Sequence, residues 1–300
     1  MRYQSNNLLG IGLMILAMLL FAVMDALAKW LVSSEMSAIQ LIAMRSWIII
    51  PLILLMLAAK GEINELATRH PWQHVLRGCF GFFAPLAFFT SLKTLPLADA
   101  TVIFFSSTFM LTAASALFLK ERVGIHRWSA LVVGFSGVII AMNPRGGGDL
   151  QAYLLVLAAT IIYAMIFISG KHLSRKDSVI SLVFSLQLGM GFMATLALPW
   201  VWVPVSLIEL GQLGLLAVIA LFAHYLFAAA FARADVSALA PFEYTALLWA
   251  TGIGYLVWQD IPTREVWIGA AIIIACGLYV VHRESLQHRS VEAERKLSRR

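Results

Sequence analysis

Charge is what this sequence has least of. Of its 300 residues 13% are charged, about half the share typical of soluble domains, whereas 61% are hydrophobic and the mean hydropathy is +0.85. A soluble domain of this length needs far more polar surface to cover its exterior. The composition therefore predicts that lipid surrounds most of the chain.

Several chemical motifs are also missing. The two cysteines, Cys79 and Cys276, lie in apolar runs without metal-ligand spacing or a disulfide framework. The sequence contains no G-x-x-x-x-G-K-[ST] phosphate loop, no H-E-x-x-H zinc motif and no G-x-S-x-G nucleophile motif. We therefore expect no metal, no other cofactor and no enzymatic activity, and any energy for transport must come from gradients.

Long apolar segments dominate what is present. A helix needs about 20 apolar residues to cross a bilayer, and ten segments meet or approach that length. They are Leu8–Leu31, Ala38–Ala58, Gln73–Leu92, Ala98–Leu119, Ile125–Met142, Leu150–Ser169, Val179–Trp200, Leu210–Phe231, Ser237–Trp258 and Val266–His282. The charged tail from Arg283 is either disordered or a helical extension of the last segment.

The first segment resembles a signal peptide only in part. Ala26-Leu27-Ala28 has the small residues of a cleavage site. However, the apolar run from Leu8 to Met24 is longer than the ~7–15 residues of a signal-peptide core, and Asp25 interrupts it just before that site. We therefore predict an uncleaved first span.

Basic residues are distributed unevenly among the gaps. If all ten segments cross, seventeen of the 22 Lys and Arg residues lie on the side of the termini. This number includes Arg77 and Arg127, which lie in the first turns of their segments on that side. Only Lys93, Arg145 and Arg264 lie on the other side, and Lys29 and Arg45 lie deeper within segments. The positive-inside rule then predicts a multi-pass protein of the bacterial cytoplasmic (inner) membrane with cytoplasmic termini. Since the basic residues do not gather on one folded face, the net charge of +6 does not indicate nucleic-acid binding.

The segment from Asn143 to Asp149, which holds one proline and three glycines, separates two groups of five spans. Because five is odd, the second group enters the membrane from the opposite face, which predicts an inverted repeat. We predict a first repeat over residues 1–144, a second over 149–283 and a charged cytoplasmic tail over 284–300.

Weak internal matches support this repeat. One offset of 139 residues aligns Glu121 with Asp260 and Trp128 with Trp267, and another of 142 residues aligns Lys29 with Lys171 and Phe21 with Tyr163.

Two groups of motifs occupy corresponding places in the two halves. The first is Phe118-Leu119-Lys120-Glu121-Arg122, Trp128 and Gly134-Phe135-Ser136-Gly137-Val138; the second is Ala240-Pro241-Phe242-Glu243-Tyr244, Trp249, Asp260-Ile261-Pro262, Trp267-Ile268-Gly269-Ala270 and Gly277-Leu278-Tyr279. Both resemble the EamA domain of the drug/metabolite transporter superfamily, and the whole chain is most similar to bacterial amino-acid exporters of the YddG type. Asp260 departs from the glutamate usual in the family at what we interpret as a helix end.

This resemblance implies an all-α polytopic membrane protein of ten transmembrane helices in two inverted five-helix repeats. It also implies a central cavity and alternating access. Similar family members import riboflavin or S-adenosylmethionine, so uptake of a larger metabolite is the alternative to export.

Charged side chains inside spans are costly and therefore call for a function or a partner. Asp25 and Lys29 lie four residues apart on one helix face, which predicts an ion pair that is either structural or part of the external mouth. Arg45 either pairs with Asp25, snorkels outward or binds a substrate carboxylate. His224 is either a packed, hydrogen-bonded residue or a cavity-lining one, and no second histidine lies at metal-ligand spacing.

Glu243 is the sharpest candidate because Pro241 lies two residues earlier and leaves a carbonyl without its helical donor. We predict that Pro241 is a hinge and that Glu243 lines the cavity; the alternatives are a glutamate that ties two helices together and a proton carrier.

Aromatic residues offer a wall for an apolar or aromatic solute. The candidates are Phe82, Tyr163, Tyr244 and Trp249, with Pro85 as a second hinge. Packing against lipid and other helices is the alternative for each of them.

Together these features predict a secondary transporter that exports small metabolites, with amino acids as the favoured substrate. An intramembrane enzyme and a channel are alternatives of another class, but neither has a motif in its support. The expected partners are a small-molecule substrate and the lipid bilayer, and a monomer is compatible with the pattern.

Overall fold

The computed structural model describes residues 7–68, 70–118, 124–143, 149–173, 177–234 and 236–297. Within these ranges the chain forms twelve α-helices and two short 3₁₀ helices, and no β-strand. The α-helices are α1 (Asn7–Ser33), α2 (Ala38–Lys60), α3 (Pro71–Ser91), α4 (Leu97–Phe104), α5 (Ser107–Phe118), α6 (Ile125–Met142), α7 (Leu150–Leu173), α8 (Val179–Ala197), α9 (Leu207–Phe231), α10 (Val236–Glu243), α11 (Thr245–Trp258) and α12 (Arg264–Leu297). The 3₁₀ helices are Ile63–Leu66 and Leu198–Trp200.

Eight helical segments among the described residues are long and apolar enough to cross a membrane. They are Leu8–Ser33, Ala38–Lys60, Leu97–Phe118, Ile125–Met142, Leu150–Gly170, Ile180–Trp200, Leu207–Phe231 and Arg264–Arg283. Two of the ten predicted spans are not among them. α3 carries the polar residues Gln73, His74 and Arg77 near its start, and the predicted ninth span is divided into two helices of 8 and 14 residues.

Polar residues in the loops set several helix ends. Ser37, Ser178 and Ser206 cap α2, α8 and α9 by accepting a backbone N–H of the first turn, and Ser206 forms a reciprocal capping box with Glu209. Gly61 ends α2 with φ +70°, a conformation that favours glycine. Each terminus thereby satisfies backbone groups that would be costly in lipid.

The predicted fourth and ninth spans are both interrupted, which the sequence patterns did not predict. α4 and α10 each have 8 residues, and the breaks follow at Phe105 and Tyr244. The offset of 139 residues aligns Leu97–Phe104 with Val236–Glu243 residue for residue, and Phe105 with Tyr244. The two halves therefore break at the same place.

Local hydrogen bonding explains the breaks. At the first, the Ser106 N–H bonds the Ile103 carbonyl oxygen at 3.0 Å, a tighter turn than that of an α-helix. At the second, Pro241 has no N–H to donate, and the Thr245 hydroxyl donates to the Phe242 carbonyl oxygen at 2.6 Å.

The main helix contacts keep the same pattern when the halves are exchanged, with α1 to α6 replaced by α7 to α12 in order. α1 packs against α9, α10 and α11, while α7 packs against α3, α4 and α5. α2 packs on α8 and α6 on α12, so these helices meet their own counterparts. The α4–α6 contact corresponds to the α10–α12 contact.

Glycines permit the closest helix crossings. A Cβ on Gly137 of α6 would lie 3.0 Å from the Gly269 carbonyl oxygen of α12, and a Cβ on Gly78 of α3 would lie 2.7 Å from the Gly189 Cα of α8. Such contacts bring backbones together where lipid offers no hydrophobic force between helices.

α12 continues well beyond the last predicted span. It runs for 34 residues to Leu297, so the backbone of most of the predicted tail is a helical extension of that span. At 1.5 Å per residue this helix is roughly 50 Å long, longer than the ~30 Å hydrocarbon core of a bilayer.

Candidate functional site

A buried lysine joins several segments at one end of the bundle. Lys29, near the end of α1, donates from Nζ to Asp260 Oδ2 at 3.0 Å and to the Leu95 carbonyl oxygen at 2.9 Å. The same Nζ lies 4.8 Å from the centroid of the Trp258 ring. The Lys29 side chain is 7% exposed and that of Asp260 28% exposed. Because Lys29 lies near the end of α1 and Asp260 lies four residues before α12, this end is opposite the start of α1 and the end of α12, and it is here called the distal end.

Asp99, in the first turn of α4, belongs to the same network. Its carboxylate is buried, interacts electrostatically with Lys29 and Asp260, and accepts a hydrogen bond from the Tyr153 hydroxyl at 3.3 Å. Its Oδ1 has no hydrogen-bond partner among the described residues. Lys29 thus balances two carboxylates and ties α1 to the α3–α4 and α11–α12 connections, while the Asp99–Tyr153 hydrogen bond ties α4 to α7.

The predicted Asp25–Lys29 ion pair does not form, so that prediction was wrong. Both side chains lie on one face of α1, but Lys29 binds Asp260 from the α11–α12 connection and Asp25 interacts with Arg45 of α2. The interpretation of Asp260 as only a helix end was also incomplete, because it is the main anionic partner of Lys29.

A second polar cluster lies between α1, α2 and α9. Arg45 is buried, interacts electrostatically with Asp25 and His224, and has its Cζ 5.5 Å from the centroid of the Phe89 ring. Its Nε has no hydrogen-bond partner among the described residues. Arg45 therefore does not snorkel outward, and its Nε is a buried donor that the described residues leave without an acceptor.

His224 of α9 is held by its own helix and by a ring of α1. Nδ1 donates to the Ala220 carbonyl oxygen at 2.7 Å, and the imidazole packs edge-on against Phe21 with centroids 4.9 Å apart. Although these contacts fit the predicted packing role, the side chain is also exposed, so both interpretations made from the sequence stay open.

Aromatic rings meet where the two helix breaks come together. Tyr244 and its counterpart Phe105 are in edge contact, with centroids 5.0 Å apart. Phe104 contacts Tyr163 of α7 at 5.4 Å. The Tyr244 hydroxyl lies directly over Gly277 of α12, where a Cβ would overlap it. Equivalent points of the two halves therefore touch one another.

Glu243 ends α10 beside this aromatic junction. Its side chain is half-buried, and its charge interacts with the phenols of Tyr163 and Tyr244. No side chain among the described residues forms an ion pair or hydrogen bond with its carboxylate. Glu243 and the junction are therefore accessible polar and aromatic groups in the interior of the bundle.

The remaining predicted residues lie apart from this junction. Phe82 is 4% exposed and belongs to the main hydrophobic core. Trp249 packs beside α1, and its Nε1 has no hydrogen-bond partner among the described residues. Pro85 lies inside the unbroken α3, whereas Pro241 lies three residues before the break at Tyr244.

A Ser–His–Asp arrangement lies at the opposite end of the bundle. His74 of α3 has Nδ1 2.6 Å from Ser185 Oγ and Nε2 2.8 Å from Asp177 Oδ2, which also accepts from the Thr68 hydroxyl. His74 and Asp177 side chains are each 3% exposed, so no substrate reaches them in this conformation. We interpret the arrangement as a tie between α3 and α8 rather than a nucleophilic site.

Sequence reasoning missed Asp99 and the role of Asp260. Asp99 had a usable signal, since it is an ionisable residue inside the predicted span Ala98–Leu119. Leu95 gave no signal in the sequence, because it accepts the Lys29 hydrogen bond through its backbone carbonyl, which every residue has. Glu121, the predicted match of Asp260, lies outside the described residues.

Family comparison gives the identity of this architecture. A model of the EamA-like transporter family matches residues 8–143 and again residues 150–282. The chain belongs to the EamA-like transporter family. It is therefore a multi-pass membrane transporter whose two matches correspond to the two halves that break and pack alike.

Individual relatives of this EamA-like transporter differ in their described substrates. It is 28% identical over 276 residues to an S-adenosylmethionine uptake transporter of Rickettsia bellii, covering 92% of this chain and 94% of that one. It is 28% identical to a riboflavin transporter of Vibrio cholerae, covering 96% and 98%. It is 27% identical to a pseudopaline exporter of Pseudomonas aeruginosa, covering 89% and 94%.

The fold is also shared with a solved structure. A protein crystal structure superimposes with a TM-score of 0.62 over 94% of this chain and 98% of the other, at 22% identity.

Proposed function

We propose that this EamA-like transporter is a secondary carrier that exports amino acids or similar small metabolites by alternating access. The observation that carries the proposal is that one bundle with two broken helices holds a partly exposed carboxylate without an ionic partner, Glu243, and a buried guanidinium, Arg45. A zwitterionic solute needs groups of both signs, and the rings beside Glu243 offer contact for its side chain.

The proposed architecture is ten membrane-crossing helices in two inverted five-helix repeats, over residues 1–144 and 149–283. Three features support it: the matching breaks at Phe105 and Tyr244, the shared pattern of the main helix contacts, and the match of the family model once in each half. The charge distribution supports cytoplasmic termini and a place in the cytoplasmic (inner) membrane. Rocking of the two halves about the central junction would expose it to each side in turn.

The polar groups divide into two proposed contact regions. Arg45, with its unused Nε, would bind a substrate carboxylate, while Asp25 limits the charge that the substrate must neutralise. Glu243 would face the substrate ammonium group. Tyr163, 42% exposed, and Tyr244 would contact the solute next to that group.

Uptake of S-adenosylmethionine is the second candidate function. The similarity to the Rickettsia bellii transporter extends over 92% of this chain. S-adenosylmethionine carries an amino-acid group, a sulfonium charge and an aromatic base, so the same carboxylate, guanidinium and rings suit it. The site chemistry does not favour one direction of movement over the other.

Glu243→Gln tests whether the junction is part of the transport site. It removes the charge while keeping the shape, and we expect counterflow of a labelled substrate in proteoliposomes to fall tenfold or more, equivalent to about 1.4 kcal/mol. Amounts of inserted protein should match the unmodified transporter. The matched control is Glu35→Gln, at an exposed position between α1 and α2, with flux near normal. Near-normal flux in Glu243→Gln would remove Glu243 from the site.

A further inference from the structure

The two halves of the transporter differ at one central position. The offset of 139 residues that aligns the helix breaks places Glu243 over Phe104, and Tyr244 over Phe105. At this level the first half therefore presents an aromatic ring where the second presents a carboxylate. Because ring and carboxylate occupy equivalent positions, only the second half contributes a charge at this position.

Other acidic side chains inside the described bundle have a basic partner. Asp25 interacts with Arg45, and Asp99 and Asp260 share Lys29. Glu243 has no such partner among the described residues. An unpaired carboxylate within a membrane is costly, so a positive charge supplied from outside the protein would be strongly favoured there.

Aromatic rings surround the place where that charge would lie. The phenols of Tyr163 and Tyr244 interact electrostatically with the Glu243 carboxylate. Phe104 lies against Tyr163 and Phe105 against Tyr244, with centroids 5.4 and 5.0 Å apart. The negative faces of such rings attract organic cations, and the attraction strengthens where water is displaced.

The geometry points to a cation subsite at the junction of the helix breaks, where Glu243 and the rings of Tyr163 and Tyr244 bind the positive charge of an organic monocation, either a protonated amine or a sulfonium. It rests on the proposed function and deepens it by naming the charge that this part of the site selects. A metal ion is a poor occupant, since a single carboxylate supplies too few oxygen ligands.

Two pairs of probes that differ mainly in charge test the subsite. The dimethylsulfonium derivative of 5′-deoxyadenosine is compared with the neutral thioether 5′-methylthioadenosine, and phenylethylamine with the neutral 2-phenylethanol. Binding to the full-length purified transporter is measured by calorimetry. In at least one pair we expect the cation to bind tenfold or more tightly than its neutral partner.

Variants of Glu243 separate charge from shape. Glu243→Gln should bring the preference to threefold or less, Glu243→Asp should retain most of it, and the distant Glu35→Gln should leave it unchanged. Equal binding of both members of each pair would overturn the subsite. So would failure of both cations to bind at millimolar concentration, or an undiminished preference in Glu243→Gln.

Binding and counterflow together distinguish a wrong assignment of the subsite from a wrong proposed function. Cation-selective binding without counterflow of any tested solute would leave the subsite in place but contradict the carrier. Counterflow without a preference for the cation would support the carrier and contradict the subsite.

Discussion

Removal of the Asp260 charge should open the distal end of the transporter. Lys29 there connects Asp260, the Leu95 carbonyl oxygen and the Trp258 ring within one buried contact. Asp260→Asn keeps the size of the side chain but leaves the ammonium with a weaker partner. We expect the segments joined at the distal end to separate more often.

The free-energy cost of Asp260→Asn depends on how many partners the Lys29 ammonium keeps. Breaking a fully buried ion pair costs about 3–5 kcal/mol. Asp260 is 28% exposed, and Lys29 keeps the carbonyl oxygen, the ring and the field of Asp99. We therefore expect about 1–2 kcal/mol, which raises the population of the open conformation roughly 5–30-fold.

Accessibility of a buried thiol measures this opening. In a variant without Cys79 and Cys276, Phe21→Cys places a reporter eight residues before Lys29 on α1, about 12 Å deeper along the helix. A membrane-impermeant thiol reagent is added to the distal side, and the rate of labelling is compared among variants. Asp260→Asn should label at least fivefold faster than its parent.

Lys29→Met tests the same reasoning through the size of its effect on the rate of labelling. It should have a larger effect than Asp260→Asn, because both Asp99 and Asp260 then lose their cation. Glu35→Gln is the control and should leave the rate unchanged. Unchanged labelling in Asp260→Asn, or a smaller effect of Lys29→Met, would refute the assignment of distal closure to Lys29.

Two other predictions concern packing and capping. Gly277→Ala adds a methyl group that overlaps the Tyr244 hydroxyl, so counterflow and thermal stability should fall by an amount equivalent to about 1–3 kcal/mol. Gly252→Ala is the control, because its added methyl group meets no neighbouring atom, and equal behaviour of the two variants would contradict the contact. Hydrogen bonds from the Thr94 hydroxyl and a backbone N–H of α7 hold the pKa of the Asp149 carboxyl below its usual value. The ionised carboxylate therefore stabilises the folded state fully at neutral pH, and this stabilisation is lost as the pH falls through the lowered pKa. Asp149→Ala should therefore lower the Tm at neutral pH but progressively less below about pH 4, and a difference that does not vary with pH would argue against this role.

The helices could be predicted because lipid imposes a simple rule. Backbone groups in a bilayer must bond within their own helix, so long apolar runs predict helices closely, as the matching bounds of Ile125–Met142 show. The same rule makes interruptions hard to predict. Phe105 lies in an apolar run with no local sign of a break, and only Pro241 near Tyr244 gave a warning.

Charge partners were harder to predict than helices. Helical spacing gives the neighbours of a residue on its own helix, and it favoured Asp25 as the partner of Lys29. The actual partner, Asp260, comes from the opposite half of the chain, and only the packing of the bundle brings it within 3.0 Å. Spacing along one helix therefore predicts candidates, whereas tertiary contacts select among them.

The prediction for Glu243 started from local chemistry. Pro241 indicated a place where backbone bonding fails, and the structure has Glu243 at the end of α10 beside the break. Tyr163 was predicted as an aromatic wall residue, but the rings of Phe104 and Phe105 were not predictable, because they come from a distant segment that meets the second half only when the two halves pack.

Counterflow in proteoliposomes tests the central claim most directly. Vesicles that contain the purified transporter are loaded separately with unlabelled amino acids, S-adenosylmethionine or riboflavin, and entry of one labelled neutral amino acid is followed. We expect saturable exchange that is selective among the amino acids and that Glu243→Gln reduces tenfold or more. No exchange with any loaded solute, in vesicles with verified insertion, would contradict an amino-acid carrier.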